Sequence, residues 1–153
     1  MIKPQNAIKK NNKIFFGINA GLGSGIMNEW GSDYYLTLSG TLGLDLIFPM
    51  GNVFAIGPYL SAGLDSYDFA TTFGAWAMFR FRNESGIMLG GGLNLLPGWD
   101  ATGISVRLGG KFPNRIYLFG ELTTSSYFYY SYYSGVSATD AVSFLIHLGV
   151  KLF

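Results

Sequence analysis

The residues best equipped for chemistry in this chain are its single histidine, His147, and the acids and hydroxyls that could serve it. A carboxylate that orients an imidazole, which in turn takes a proton from a hydroxyl, is the arrangement of a hydrolase. Glu121 is the candidate carboxylate, and Ser143 and Ser125 are the candidate hydroxyls. Ser143 lies four positions before His147. In an extended strand that interval spans about 13 Å, too far for direct proton transfer. Ser125 is displaced from Glu121 by the same interval. One histidine and no cysteine supply neither a zinc-type ligand set nor a thiol nucleophile. The glycine-rich stretches at 21–25 and 90–92 lack the lysine and the strand-to-helix context of a phosphate loop. The sequence therefore assigns no catalytic residue, no cofactor and no metal.

Any meeting of Glu121 with His147 depends on a sheet, and strand patterning fills the chain. Tyr34 to Phe48 places Leu36, Leu38, Leu42, Leu44, Leu46 and Phe48 in alternation with Thr37, Ser39, Thr41, Gly43 and Asp45. Period two of this kind is a strand with one dry and one wet face. The same alternation predicts eight strands near 13–23, 34–48, 53–66, 69–82, 86–96, 102–112, 115–126 and 140–152. Their apolar faces include Phe16 and Ile18, Phe73 and Phe79, Val106 and Leu108, and Phe144 through Leu152 on even numbers. The opposite faces hold Asn19, Asp45, Tyr59, Arg80, Asn94, Arg107, Lys111, Glu121, His147 and Lys151.

Composition decides which face meets which solvent. The 153 residues are 49% apolar, 17% aromatic and 12% charged, against about 25% charged residues in a soluble domain. A soluble barrel would crowd the leucines and phenylalanines of eight strands into one interior, and eight strands enclose only a narrow one. Small and polar residues inward with apolar groups toward lipid suit that lumen better. The expected fold is all-β: an eight-stranded antiparallel up-and-down transmembrane barrel with a polar interior, spanning 13–153. No run of about 20 apolar residues offers a transmembrane helix. A net charge of +1 offers no electrostatic footprint for nucleic acid. Residues 1–12 are basic but lack the apolar core of a secretory signal, which predicts a flexible segment at the start of a mature exported chain.

Tight turns at 49–52, 82–85 and 112–115 alternate with connections around 24–33, 66–69, 97–101 and 126–139, two of them long. Pairing through the turns sets Lys111 opposite Tyr117 and Arg107 opposite Glu121. Closure of the last hairpin around Ser134 sets Glu121 opposite His147, and Tyr117 opposite Lys151. Arg80 falls opposite Met88 and within reach of Asp45 across Ala55, and Tyr59 neighbours Trp76. Asp45, Arg80, Arg107, Lys111, Glu121, His147 and Lys151 then form a compensated lumen network that plugs and stiffens the barrel, because charges in a narrow tube must be paired or hydrated. Pro58 cannot donate a ladder bond, so a bulge or local opening is expected there. The tyrosine-rich stretch of Tyr129, Tyr130, Tyr132 and Tyr133, with Trp30 and Trp99 near the same end, suits either an interfacial girdle or a recognition surface.

The repeated dyads, the inward Arg80, Arg107, Glu121 and Lys151, the alternation of short turns with longer connections, and the ending in Phe153 resemble the small eight-stranded outer-membrane barrels of the OmpA transmembrane-domain and OmpX class. The resemblance implies a bacterial outer membrane location with periplasmic termini and extracellular long loops. Its implied partners are membrane lipid including lipopolysaccharide, the outer-membrane insertion machinery, and a host or neighbouring surface protein, with the barrel itself a monomer. A terminal Phe resembles the assembly signal of that class, although Phe153 falls on the polar parity of its strand. Members of the class include adhesins, structural anchors and a few lipid-modifying enzymes, so the resemblance implies location more than activity; the expected function is a noncatalytic surface barrel engaged in adhesion or similar contacts. A lipid-modifying hydrolase or acyltransferase is the alternative, and a narrow solute pore is a third.

Overall fold

A computed structural model describes residues 13–29, 33–64, 69–81, 85–95, 101–131 and 135–152. The expectation of a flexible segment over 1–12 lies outside them. Eight strands follow in order: β1 (Phe15–Glu29), β2 (Asp33–Pro49), β3 (Phe54–Leu64), β4 (Phe69–Arg80), β5 (Gly86–Leu95), β6 (Ala101–Lys111), β7 (Ile116–Ser131) and β8 (Gly135–Lys151). Each pairs antiparallel with its neighbour, and β8 returns to β1 to close the barrel. Closure removes every sheet edge over the shared height, so the backbone satisfies its own hydrogen bonds there.

The apolar series point outward. Leu22, Leu36 and Leu42 are 76%, 72% and 71% exposed, whereas Asp45, Arg107 and His147 are fully buried. Every described strand repeats this inversion. A soluble protein does not expose a continuous apolar belt on this scale, and a lipid-facing band requires one. The soluble-barrel alternative therefore fails on the direction of its leucines.

Strand lengths depart from the sequence expectation at one end. β7, β8, β1 and β2 run 16, 17, 15 and 17 residues, whereas β3 to β6 run 11, 12, 10 and 11. The stretches expected as long connections are strand as far as Glu29 and from Asp33, and as far as Ser131 and from Gly135. Gly23, Ser24 and Gly25 interrupt the apolar alternation and read as a turn, yet they pair with β2 on one side and β8 on the other. Met27, which had no readable path in the sequence, is buried. One half of the wall thus stands higher than the other by about five residues, roughly 17 Å at strand rise. Within it, Phe128–Ser131 pair with β8 and, among the described residues, with no other strand, the β6–β7 ladder ending at Ala101 and Tyr127.

Pro58 acts as a local opening without a bulge. The β2–β3 ladder is interrupted between the Asp45–Tyr59 and Phe48–Ile56 pairs and resumes in the same register.

If hydrocarbon bathes the belt, Val106→Arg, on the lipid side near the middle of β6, should cost about 2–4 kcal/mol of folding free energy in lipid vesicles. Urea titration of the refolded barrel measures this; a cost within a few tenths of a kcal/mol would put that face in water.

Candidate functional site

A connected side-chain network crosses the middle of the interior. Glu121 Oε2 lies 3.0 Å from Arg107 Nη2 and 2.8 Å from His147 Nε2. The first is an ion pair; the second has ion-pair length without hydrogen-bond alignment. His147 Nδ1 meets Asn19 Oδ1 at 3.1 Å, and Asn19 Nδ2 donates to Asp45 Oδ2 at 2.7 Å. Trp76 Nε1 donates to Asp45 Oδ1 at 2.7 Å, and the Tyr117 hydroxyl donates to Asp45 Oδ2. At the other end Arg107 Nη2 donates to Ser61 Oγ at 2.7 Å. The chain of contacts runs from Ser61 through Arg107, Glu121, His147 and Asn19 to Asp45, with every member buried.

Aromatic rings fill the space between these polar contacts. The Arg107 guanidinium lies 3.8 Å from the centre of the Tyr59 ring, where the ring's negative face offsets part of the desolvation of the charge. That matters because Nε and Nη1 have no hydrogen-bond partner among the described residues. The His147 ring stacks on Phe119 at 4.3 Å, and Phe119 meets Trp76 edge-on at 5.0 Å. Tyr59 and Trp76 are ring neighbours at 5.5 Å, from adjacent strands.

Inward glycines make room for these rings. A methyl group at Gly21 would lie 2.5 Å from the His147 ring, and one at Gly90 would lie 2.8 Å from Trp76. A Cβ at Gly149 would collide with the Tyr117 ring. The triple glycine of β5, which ought to weaken a strand, thus includes the one residue that admits Trp76.

Four registers account for which of the expected pairs meet and which miss. Arg107 faces Glu121, and Lys111 faces Tyr117, as the turn at 112–115 predicts. The last hairpin is centred one residue earlier than expected, so His147 faces Phe119 and Tyr117 faces Gly149. His147 still reaches Glu121, along the diagonal. The connection between β2 and β3 is longer than a tight turn at 49–52 allows: Gly51 takes a left-handed φ of 99°, and Met50 N donates to Phe54 O. Asp45 therefore faces Tyr59, four residues from the expected Ala55. Arg80 faces Gly86 across the opposite hairpin, two residues from Met88. The register that would have set Arg80 near Asp45 across Ala55 is not the one formed, and the Asp45 carboxylate accepts from Asn19, Trp76 and Tyr117.

The seven charged candidates fall into two groups. Asp45, Arg107, Glu121 and His147 share the central network, while Arg80, Lys111 and Lys151 line the mouth at the tight-turn end. Asn19, Ser61, Trp76 and Tyr117 join the centre without having been singled out together. The signal for the aromatic pair was present in the small residues opposite them, Gly90 and Gly149. Trp30, Trp99, Tyr132 and Tyr133 lie outside the described residues. Tyr129 and Tyr130 belong to β7, where their backbones pair with Ser137 and Val136.

Glu121 and Asn19 lie against the two His147 ring nitrogens, and Ser143 sits opposite Thr123, four residues along the strand from the imidazole. The arrangement can hold charge and resist deformation.

No protein-family model and no curated protein matches the sequence. Among solved structures, the chain is similar to Neisserial surface protein A, with a TM-score of 0.54 and 14% identity over 90% of this chain and 97% of that one. A de novo designed transmembrane β-barrel aligns with a TM-score of 0.53 and 8% identity, over 90% and 95% of the two chains. The likeness is one of fold: an eight-stranded antiparallel barrel resembling the small outer-membrane barrels.

Removing Glu121 alone leaves Arg107 buried without its counter-charge. Glu121→Leu should cost about 3–5 kcal/mol, and Arg107→Leu/Glu121→Leu should cost clearly less than that single change. Equilibrium denaturation of the refolded variants decides it; a double variant worse than Glu121→Leu would mean the pair does not share one desolvation penalty.

Proposed function

We propose that this protein is a noncatalytic outer-membrane surface barrel, with its tight turns in the periplasm and the tall half of its wall projecting outward to contact a surface partner. The observation that carries the reading is the division between a filled lumen and a wall that outgrows the bilayer on one side. The lumen is packed across its middle by Trp76, Arg107, Tyr117, Phe119 and His147, each less than 2% exposed. Function is thereby displaced to the ends. Among the described residues the β7–β8 ribbon beyond Tyr127 pairs on neither outer side, which supports backbone donors and acceptors being open to a partner strand. Its sequence from Tyr127 to Tyr133 carries six aromatic residues in seven, a composition with large contact area and few rotatable bonds.

On this reading the partner is a host molecule, a neighbouring surface protein or lipopolysaccharide, with Tyr129, Tyr130, Tyr132, Tyr133, Trp30 and Trp99 as the candidate contacts. On the same reading the outer-membrane insertion machinery delivers the barrel, which acts as a monomer. A lipid-modifying activity draws no support from the engaged His147, and the packed lumen argues against a solute pore.

Deleting 127–135 should abolish attachment to the partner surface while the unboiled barrel still migrates apart from the boiled one on a gel. Planar-bilayer recording of the intact protein should show no stable conductance. Stable passage of large solutes would overturn the filled-lumen reading, and attachment that survives the deletion would remove the ribbon from it.

A further inference from the structure

The outer belt is not evenly covered. Across β1, β2 and β3 its side chains alternate between leucine and small residues, both along each strand and from strand to strand. Leu42 pairs with Ala20 on one side and Ala62 on the other, while Gly40 pairs with Leu22 and Leu64. Leu22, Leu42 and Leu64 therefore stand clear of their neighbours, at 76%, 71% and 64% exposure, whereas Leu89, Leu93 and Leu122 elsewhere on the belt are nearer half exposed. Between the tall side chains lies a groove of about 740 Å³, open on its outer side, with Ala20, Gly40 and Ala62 along its floor.

The barrel's own packing does not require the glycine at position 40. A Cβ there would meet only Leu22 Cδ2, at 3.5 Å, an ordinary contact, whereas Gly21 and Gly90 yield to rings inside the lumen. A bare position costs the strand a side chain to pack, and here the space it leaves is on the outside. Leu22 and Leu64 stand on the strands either side of β2, about 10 Å apart. A methylene chain touching both needs about 4 Å on each side, so one chain fits over Gly40. Leu42 and Gly40 lie six and eight residues from Phe48, the last outward residue of β2 at its tight-turn end. On a strand tilted by about 40° these are heights of about 16 and 21 Å in a belt about 25 Å tall. The groove thus lies in the leaflet on the tall-wall side, and it reaches Leu64, where β3 ends.

We propose that this groove seats one acyl chain of a membrane phospholipid. The groove is continuous with the lipid-facing belt, so its occupant is hydrocarbon, and a chain lying in it regains the dispersion contacts that a gap would forfeit. Charge selects the kind of lipid. Of ten lysines and arginines, every one except Arg107 falls, by its place in the sequence, ahead of β1 or beside a tight turn or the β8 terminus. The end that the groove approaches therefore offers no cation to the phosphates of lipopolysaccharide, whereas a zwitterionic phospholipid carries its own. The site rests on the belt meeting hydrocarbon, which the first step of the test reads separately.

The test uses the whole chain refolded into vesicles of dimyristoyl phosphatidylcholine, where separate migration of the unboiled and boiled protein reports insertion. Without that separation the belt reading fails first, and the groove fails with it. The inserted barrel is then moved into octyl glucoside, titrated with the same phospholipid and weighed by native mass spectrometry. Binding should saturate at one phospholipid per barrel. Gly40→Leu fills the floor and should bind about tenfold or more weakly, the loss expected when about two methylenes lose their contacts. Gly91→Leu, at an outward glycine of β5 beyond the groove, should bind as the unaltered chain does. If Gly40→Leu does not fold, as judged by gel migration, Ala62→Leu is read in its place. The proposal is overturned if no phospholipid saturates, or if the filled variant binds as tightly as Gly91→Leu. It is equally overturned if added lipopolysaccharide displaces the retained phospholipid, or if paired barrels appear that Gly40→Leu separates, because the groove then belongs to that lipid or to a second copy.

Discussion

The cost of holding a guanidinium in a dry tube governs the rest of this structure. Arg107 is fully buried, and its ion-pair partner Glu121 is withdrawn from water almost as completely. Such a pair persists only if its geometry is good and its neighbours supply further compensation. Here the compensation comes from four other strands: Ser61 and Tyr59 on β3, Trp76 on β4, His147 on β8 and, through it, Asn19 on β1. The inward positions are therefore not independent choices. A large ring on one strand demands a glycine on the next, as Gly21 does for His147 and Gly90 for Trp76. The lumen tolerates glycine-rich strands because the barrel, not each strand, is the packing unit.

That coupling explains what could and could not be read from the sequence. The facing of each strand was legible, since period two survives any error in register that moves a pair by an even number of residues. The observed shifts are even: Glu121 was expected opposite His147 and faces Leu145, Arg80 was expected opposite Met88 and faces Gly86, and Asp45 faces Tyr59 where Ala55 was expected. Inside stayed inside. The Arg107–Glu121 pair was legible because its turn is short and closes as the sequence suggests. The contacts of Asp45 with Trp76 and Tyr117 were not, because they cross the lumen between strands that never pair. Ends of strands were harder still. At Gly23–Gly25 the alternation lapses, and only pairing on both sides keeps the chain extended.

A barrel filled in this way resists deformation through its middle. Stiffness is useful to a wall that rises on one side only, because the β7–β8 ribbon is anchored below by the same strands that carry Glu121 and His147. Movement of the ribbon base would have to drag those two side chains out of contact. The ribbon can be long without making its foundation loose, and the proposed recognition surface inherits its position from a network it does not touch.

The sorting of charge adds a constraint on how such a barrel reaches its membrane. In the proposed orientation the tall-wall end must cross the hydrocarbon layer and the tight-turn end need not. Arg and Lys cost about 2–4 kcal/mol each at the bilayer midplane, and Asp and Glu cost less. By place in the sequence Glu29, Asp33, Asp65, Asp68, Asp100 and Asp140 fall toward the crossing end and the cations other than Arg107 toward the other, the lower-cost arrangement of the two. The one cation that must travel inward, Arg107, travels beside Glu121 on the neighbouring strand, so its charge need not enter alone. Reversing the orientation would require nine cations to pass, with Glu84 the single acid near them in sequence. Charge placement thus accords with the proposed direction of insertion, while the lumen pair lowers the cost of carrying Arg107 inward in either direction.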